Sequence, residues 1–187
     1  MKPKLFFSVV AIILFSSVDL SAQGWKTTLK DQISDYGHRN WIIITDAAYP
    51  KQSAPGIQTV VTKAGQLEVL NEVLNQVDKA SYIKPIIMVD AELQFVTKKN
   101  APGVEAYKQE LKSVLKGQSI KEMVHEDIIK KLDKASKLYN ILVLKTNMEI
   151  PYTSVFIELD CGYWDAASEK ELRKTFSAKF NNKEIND

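Results

Sequence analysis

Two histidines and one cysteine are all the imidazole and thiol groups that this chain of 187 residues contains. A single Cys161 excludes an internal disulfide and a cysteine-rich metal site, and no base stands near it in sequence to make it a reactive thiol. His38 and His125 lie far apart, and no pair of histidines falls at the i, i+4 spacing of a helical zinc site, so no metal is expected. There is no G-x-S-x-G elbow, no phosphate-binding glycine loop and no G-x-G-x-x-G, which removes the common hydrolase, nucleotide and dinucleotide readings and leaves no expected cofactor. Charge of one sign is also lacking. The 25 basic and 23 acidic residues are interspersed, without the basic field that nucleic-acid binding needs.

Long hydrophobic runs are absent as well. The longest, Leu5 to Phe15, follows Lys2 and Lys4 and precedes the small residues Ser21 and Ala22, the order of a secretory signal peptide over residues 1–22. It is too short for a comfortable membrane span. The expectation is therefore a periplasmic or secreted protein with no stable membrane insertion after cleavage. Removing residues 1–22 takes away Lys2, Lys4 and Asp19, which leaves 23 basic and 22 acidic residues in a nearly neutral mature chain.

What is present is a 45% hydrophobic composition, enough to bury a real core in one domain over residues 23–164. Trp25, Leu29 and Ile33 recur on one helical face, and Gly37 is placed to stop that helix with a positive φ. Ile42 to Ile44 form a strand apolar on both faces. A strand follows at Ile57 to Val61, then a helix from Gln66 to Asp78 with Leu67, Leu70, Leu74 and Val77 in phase, and a strand from Pro85 to Val89. Helices are expected over Val104–Lys116 and Glu126–Tyr139, and strands over Ile120–Val124, Ile141–Leu144 and Val155–Leu159. This alternation predicts an α/β fold: a single three-layer α/β/α domain with a largely parallel or mixed sheet. Residues 165–187 form a helical extension, with Ser168 and Glu171 in capping-box spacing, docking on the domain or on a neighbouring subunit.

Acid/base chemistry is what this residue set leaves open. His38, directly after the first helix, has the side chain that titrates nearest neutrality, and Asp46 ends the following apolar strand. Taken singly, a loop His is more often a surface residue and a strand-end Asp more often an Asx turn.

The block Gly37-His38, an apolar strand, then Asp46-Ala47-Ala48-Tyr49-Pro50 resembles the signature of the ribose pyranase and fucose mutarotase family. Ser81 to Met88 is similar to the fucose mutarotase branch, and Pro151 to Ile157 to the closing Tyr-x-Asn strand motif. The likeness covers roughly Trp25 to Tyr163. It implies a cofactor-independent isomerase that interconverts anomers or ring forms of a free monosaccharide, fucose before ribose, in a homo-oligomer with pockets near subunit contacts. Carried over by position, His38 becomes the catalytic acid/base and Asp46 a sugar-binding or His-supporting carboxylate. Tyr152 and Ser154 occupy the positions from which the family's Tyr and Asn contact the sugar. His125, followed by Glu126, looks like the His-Glu pair of the ribose branch, although its distance to Tyr152 is longer here. Ser154 stands where the family has Asn and offers one hydroxyl in place of a two-ended amide. A non-catalytic exported sugar-binding or sensing protein is the alternative that this change, together with export, suggests. Tyr49, Tyr107 and Tyr152 are candidates for packing against a sugar face.

Overall fold

The structure, a computed structural model, describes residues 20–181, with side chains from Gly24 to Lys179. The expected signal sequence lies outside the described residues as far as position 19. A first helix, α1 (Leu20–Asp35), leads into β1 (Trp41–Thr45), β2 (Ile57–Val61) and α2 (Gln66–Lys79). Next come β3 (Ile83–Asp90), a short 3-10 helix (Ala91–Phe95), α3 (Val104–Val114), β4 (Ile120–Met123) and α4 (His125–Ala135). The chain closes with β5 (Ile141–Lys145), β6 (Val155–Cys161) and α5 (Ala166–Asn181).

The six strands form one sheet in the order β2-β5-β1-β6-β3-β4. β1 and β2 both run parallel to β5, and β3 runs parallel to β4, whereas β6 is antiparallel to both of its neighbours, β1 and β3. The sheet is therefore mixed, and all strands but β6 point their carboxyl ends to one edge.

Side-chain alternation along β1 separates two cores. Ile42 and Ile44 face α1, α2 and α3, where Trp25, Leu29, Leu70, Val73 and Leu111 bury their side chains. Trp41 and Ile43 face the other way, toward Ile128 and Leu132 of α4 and Phe156 of β6. Helices thus cover both faces, which is why β1 and β5 read as unbroken apolar runs. Among the described residues no helix is long and apolar enough to cross a membrane.

Four local expectations change. Gly37 does not adopt a positive φ; Arg39 does, at 73°, in a turn that Asn40 N–H closes on the Gly37 carbonyl at 3.3 Å. The left-handed residue is the third of the four, the position where such turns favour Gly or Asn, and Arg39 is held there as its N–H donates to the Leu159 carbonyl at 2.6 Å. Pro85 is not at the strand start but two residues inside β3, opposite Leu159. Its missing donor is tolerated because the β3–β4 ladder begins only at Ile87, so no partner strand lies on that side. α4 stops at Ala135, four residues short of Tyr139, although Tyr139 N–H still donates to the Ala135 carbonyl and extends the turn. Finally, α5 begins at Ala166, and Asp165 caps it through Ser168 N–H at 2.7 Å, a bond that holds the Asp165 carboxyl below its ordinary pKa. On its apolar face Leu172 and Phe176 stay about half exposed.

Candidate functional site

In open α/β sheets, ligands bind beyond the carboxyl ends of the strands, where a rigid sheet holds loops that are free to vary. The topology here sends four segments to that edge: the exit of β1 at Asp46, of β3 at Asp90, of β4 at His125, and the β5–β6 connection from Met148 to Ser154. They line an open cleft of about 610 Å³. Asp46, Tyr152, Ser154 and His125, expected from the sequence, all line it.

His38 does not. It precedes β1, so it sits on the amino-terminal edge of the sheet, exposed, with the whole strand between it and Asp46. A strand of this length spans roughly 16 Å. His38 and Asp46 are eight positions apart in sequence and separated in space.

His125 opens α4 and is fixed at two points. Its backbone N–H, one of the helix's orphan donors, gives a hydrogen bond to both carboxylate oxygens of Glu92, each at 3.1 Å. Its ring Nδ1 lies 3.0 Å from Oδ1 of Asp90. The ring meets Tyr152 edge-on, with centroids 5.8 Å apart and planes at 82°, and Phe156 at 6.3 Å. Burial raises the Asp90 carboxyl above its ordinary pKa, and the hydrogen bond and charge of His125 pull it back down.

The β1 exit is a tight turn in which Asp46 Oδ1 accepts Ala48 N–H at 2.7 Å, the Asx turn that strand-end aspartates favour. Lys145 donates to the Tyr49 carbonyl at 2.8 Å and pins the loop to β5. Tyr49 lines the cleft with a buried hydroxyl beside the Gln52 side chain, and burial pushes its pKa up to about 12. Tyr107 lies on the other side of the sheet: its hydroxyl donates to the Thr153 carbonyl at 2.9 Å, which removes it from the sugar-stacking candidates. Tyr152 takes a left-handed φ of 59° and stays 41% exposed, so its ring is available to a ligand.

Gln66 makes the cleft wall rigid. Fully buried at the start of α2, it donates to the carbonyls of Ile44 at 3.2 Å and Thr153 at 2.8 Å, and accepts the Thr146 hydroxyl at 2.6 Å. One side chain thereby ties the exits of β1 and β5 to the entry of β6. Gln66→Leu removes three buried hydrogen bonds, although the Thr153 carbonyl keeps the Tyr107 hydroxyl and the Thr146 hydroxyl keeps the Thr45 carbonyl, and is expected to cost about 2–4 kcal/mol. Chemical denaturation reads this directly, and an unchanged midpoint would remove Gln66 from its role as the tie.

Asp90 and Glu92 were missed by sequence reasoning. The signal for Asp90 was present, since it follows an unbroken apolar strand just as Asp46 does. The segment Ser81 to Met88 lines no part of the cleft: Tyr82 hydroxyl donates to the Ile33 carbonyl at 2.7 Å and Met88 is core. Among the described residues no cluster of three or more His, Cys, Asp or Glu side chains could hold a metal ion.

Residues 25–161 match the RbsD / FucU transport protein family. No curated protein gives a match. Among solved structures, Bacillus subtilis RbsD complexed with D-ribose is 18% identical, with 74% of this chain and 94% of that chain covered and a TM-score of 0.52. The fucose mutarotase of Streptococcus pneumoniae in complex with L-fucose is 19% identical over 72% and 91% of the two chains, TM-score 0.44. FucU from Bifidobacterium longum is 13% identical over 74% and 96%, TM-score 0.47.

Proposed function

Because this chain belongs to the RbsD / FucU transport protein family, we propose that its cleft binds a free monosaccharide and interconverts the sugar's anomers or ring forms without a cofactor. The observation that supports this reading is the convergence of Asp46, His125, Tyr152 and Ser154, from separate parts of the chain, on one cleft. The D-ribose held by the Bacillus subtilis relative points to the ligand class. Fucose and ribose are the first sugars to test. Asp46, Asp90 and Glu149 line the cleft and no lysine or arginine does, so a neutral sugar fits and a phosphorylated one meets like charge.

Anomer exchange requires a proton to leave the anomeric hydroxyl and another to reach the ring oxygen, after which the ring opens and recloses on the opposite face of the carbonyl. Imidazole performs both transfers near neutral pH. His125 serves the cleft from its own subunit, and Tyr152 offers an aromatic face to the sugar. His38 reaches a cleft only in an assembly, carried in by a neighbouring subunit, and there supplies the second acid/base group. Export through residues 1–22 places the reaction outside the cytoplasm.

Saturation-transfer NMR on the anomeric protons of fucose and ribose tests the activity. No exchange above buffer for either sugar would sink it. For the shared site, His38→Ala and Asp46→Asn are each expected to lose about 10²-fold or more. Oligomers assembled from both variants should regain a measurable fraction, because some clefts then combine an intact Asp46 with an intact His38. A chain that sediments as a monomer, or mixed oligomers without recovery, would exclude the contribution of His38. Ser154, with one hydroxyl in the binding wall, favours a second reading: a binding protein that retains the sugar without turning it over. Calorimetry showing saturable binding with no anomer exchange would select it.

A further inference from the structure

Asp90 combines two properties that no other carboxylate lining the cleft is recorded as having. It is 2% exposed, with one oxygen on the His125 ring and the other, Oδ2, buried without a hydrogen-bond partner. The nearby charged groups are His125, Glu92 from the 3-10 helix and Asp46 from the β1 exit. Of these, His125 lies within hydrogen-bond distance of Asp90, with Nδ1 3.0 Å from Oδ1. The backbone of His125 is anchored separately on Glu92, so Asp90 is not needed to place the helix start. Its contact is with the ring.

We propose that Asp90 is a positioning residue, which accepts the Nδ1–H of His125, fixes the neutral imidazole in that tautomer and leaves Nε2 as the nitrogen that exchanges protons with the ligand. A neutral imidazole carries one N–H, so a carboxylate that holds it at Nδ1 makes Nε2 a lone-pair base. Without that acceptor the ring would be divided between tautomers, only one of which presents a base from Nε2. The role of Nε2 toward a sugar rests on the mutarotase reading above; the tautomer does not.

Nitrogen-15 spectra of the wild-type protein, above the titration of its histidines, test the tautomer first. Couplings between ring nitrogens and carbon-bound protons separate the two forms, and His125→Ala identifies the signal. His125 is expected to be protonated at Nδ1; protonation at Nε2 overturns the proposal whatever the variants do. In Asp90→Asn the carboxamide can donate to Nδ1, so the ring should switch to the Nε2–H form. Turnover should then fall about 10²-fold or more at little-changed KM. Unaltered turnover together with an unaltered tautomer would also overturn it. Asp90→Asn added to His125→Ala should lower the residual rate less than about twofold, because a group acting through the ring has nothing left to act on. Multiplying losses would show an independent role. A wild-type protein with the Nδ1–H tautomer but no anomer exchange would end the mutarotase reading and leave the positioning by Asp90 standing.

Discussion

His125→Ala is expected to slow anomer exchange by about 10²–10⁴-fold, the range a positioned general acid/base contributes. The backbone bond to Glu92 survives the substitution, since alanine keeps the N–H, and the start of α4 should stay in place. The loss would therefore be chemical before it is structural. A stability effect follows all the same, because the variant removes the ring that lies 3.0 Å from a buried carboxylate. An orphaned buried acceptor costs about 1–3 kcal/mol. Its sign with pH can be worked out. Burial already raises Asp90, and His125 is the influence that lowers it, so deletion of the ring raises the folded-state pKa further. A carboxyl with a raised folded-state pKa binds its proton more tightly when folded, and stability is lost as pH rises from the unfolded value through the folded one. The deficit of the variant should be largest at neutral pH and shrink on acidification. Thermal melts of both proteins between pH 4 and pH 7 check this, and a deficit that grows toward acid would contradict it.

Phe156→Ala is expected to have the largest effect on stability, about 3–5 kcal/mol. Phe156 is fully buried near the start of β6, opposite Ile43 of β1 and Met88 of β3, and belongs to the core between the sheet and α4. That core is the smaller of the two, with Ile128 and Leu132 as its fully buried α4 contribution, and few side chains are available to collapse into the space. For a domain of this size each kcal/mol lowers the melting temperature by about 2–4 °C, so the midpoint should fall by about 6–20 °C. Because the ring also contacts His125, the surviving folded fraction should bind sugar less well. Leu172→Ala on the exposed face of α5 is the matched control, with little expected shift. A drop in the Phe156 variant no greater than in that control would mean that the cavity refills.

The class of fold was legible because periodicity is local. Of the expected α2 stripe Leu70 and Val77 are buried while Leu67 and Leu74 are half-buried, the stripe being turned toward Val69 and Val73, and Ile42 to Ile44 mark a strand covered on both faces. Strand order was not legible, since nothing in β6 announces that it inserts between β1 and β3 in the opposite direction. The site inherited this gap. His38 and Asp46 are eight positions apart, and a five-residue strand converts that closeness into opposite edges of the sheet. Asp90 and His125 are 35 positions apart, and two parallel strands side by side bring them to 3.0 Å. Asp46, Tyr152, Ser154 and His125, expected from the resemblance, line one cleft at the carboxyl edge, and His125 is held there through both its backbone and its ring. The exchange of Gly37 for Arg39 as the left-handed residue is a smaller case of the same kind: a tertiary bond to Leu159 overrides the local preference for glycine.

The antiparallel strand has a consequence for how the molecule is made. β2, β5 and β1 form one ribbon and β3 and β4 another, and among the described residues only β6, the last strand of the sheet in chain order, pairs with both. Until β6 joins, β1 lacks its antiparallel neighbour and β3 lacks its own, so the two ribbons share no strand. Closure waits for residues 155–161, and such long-range pairings are the slow steps of folding. The edges that β6 covers on β1 and β3 are apolar, the kind of strand edge that invites pairing with another chain when left open.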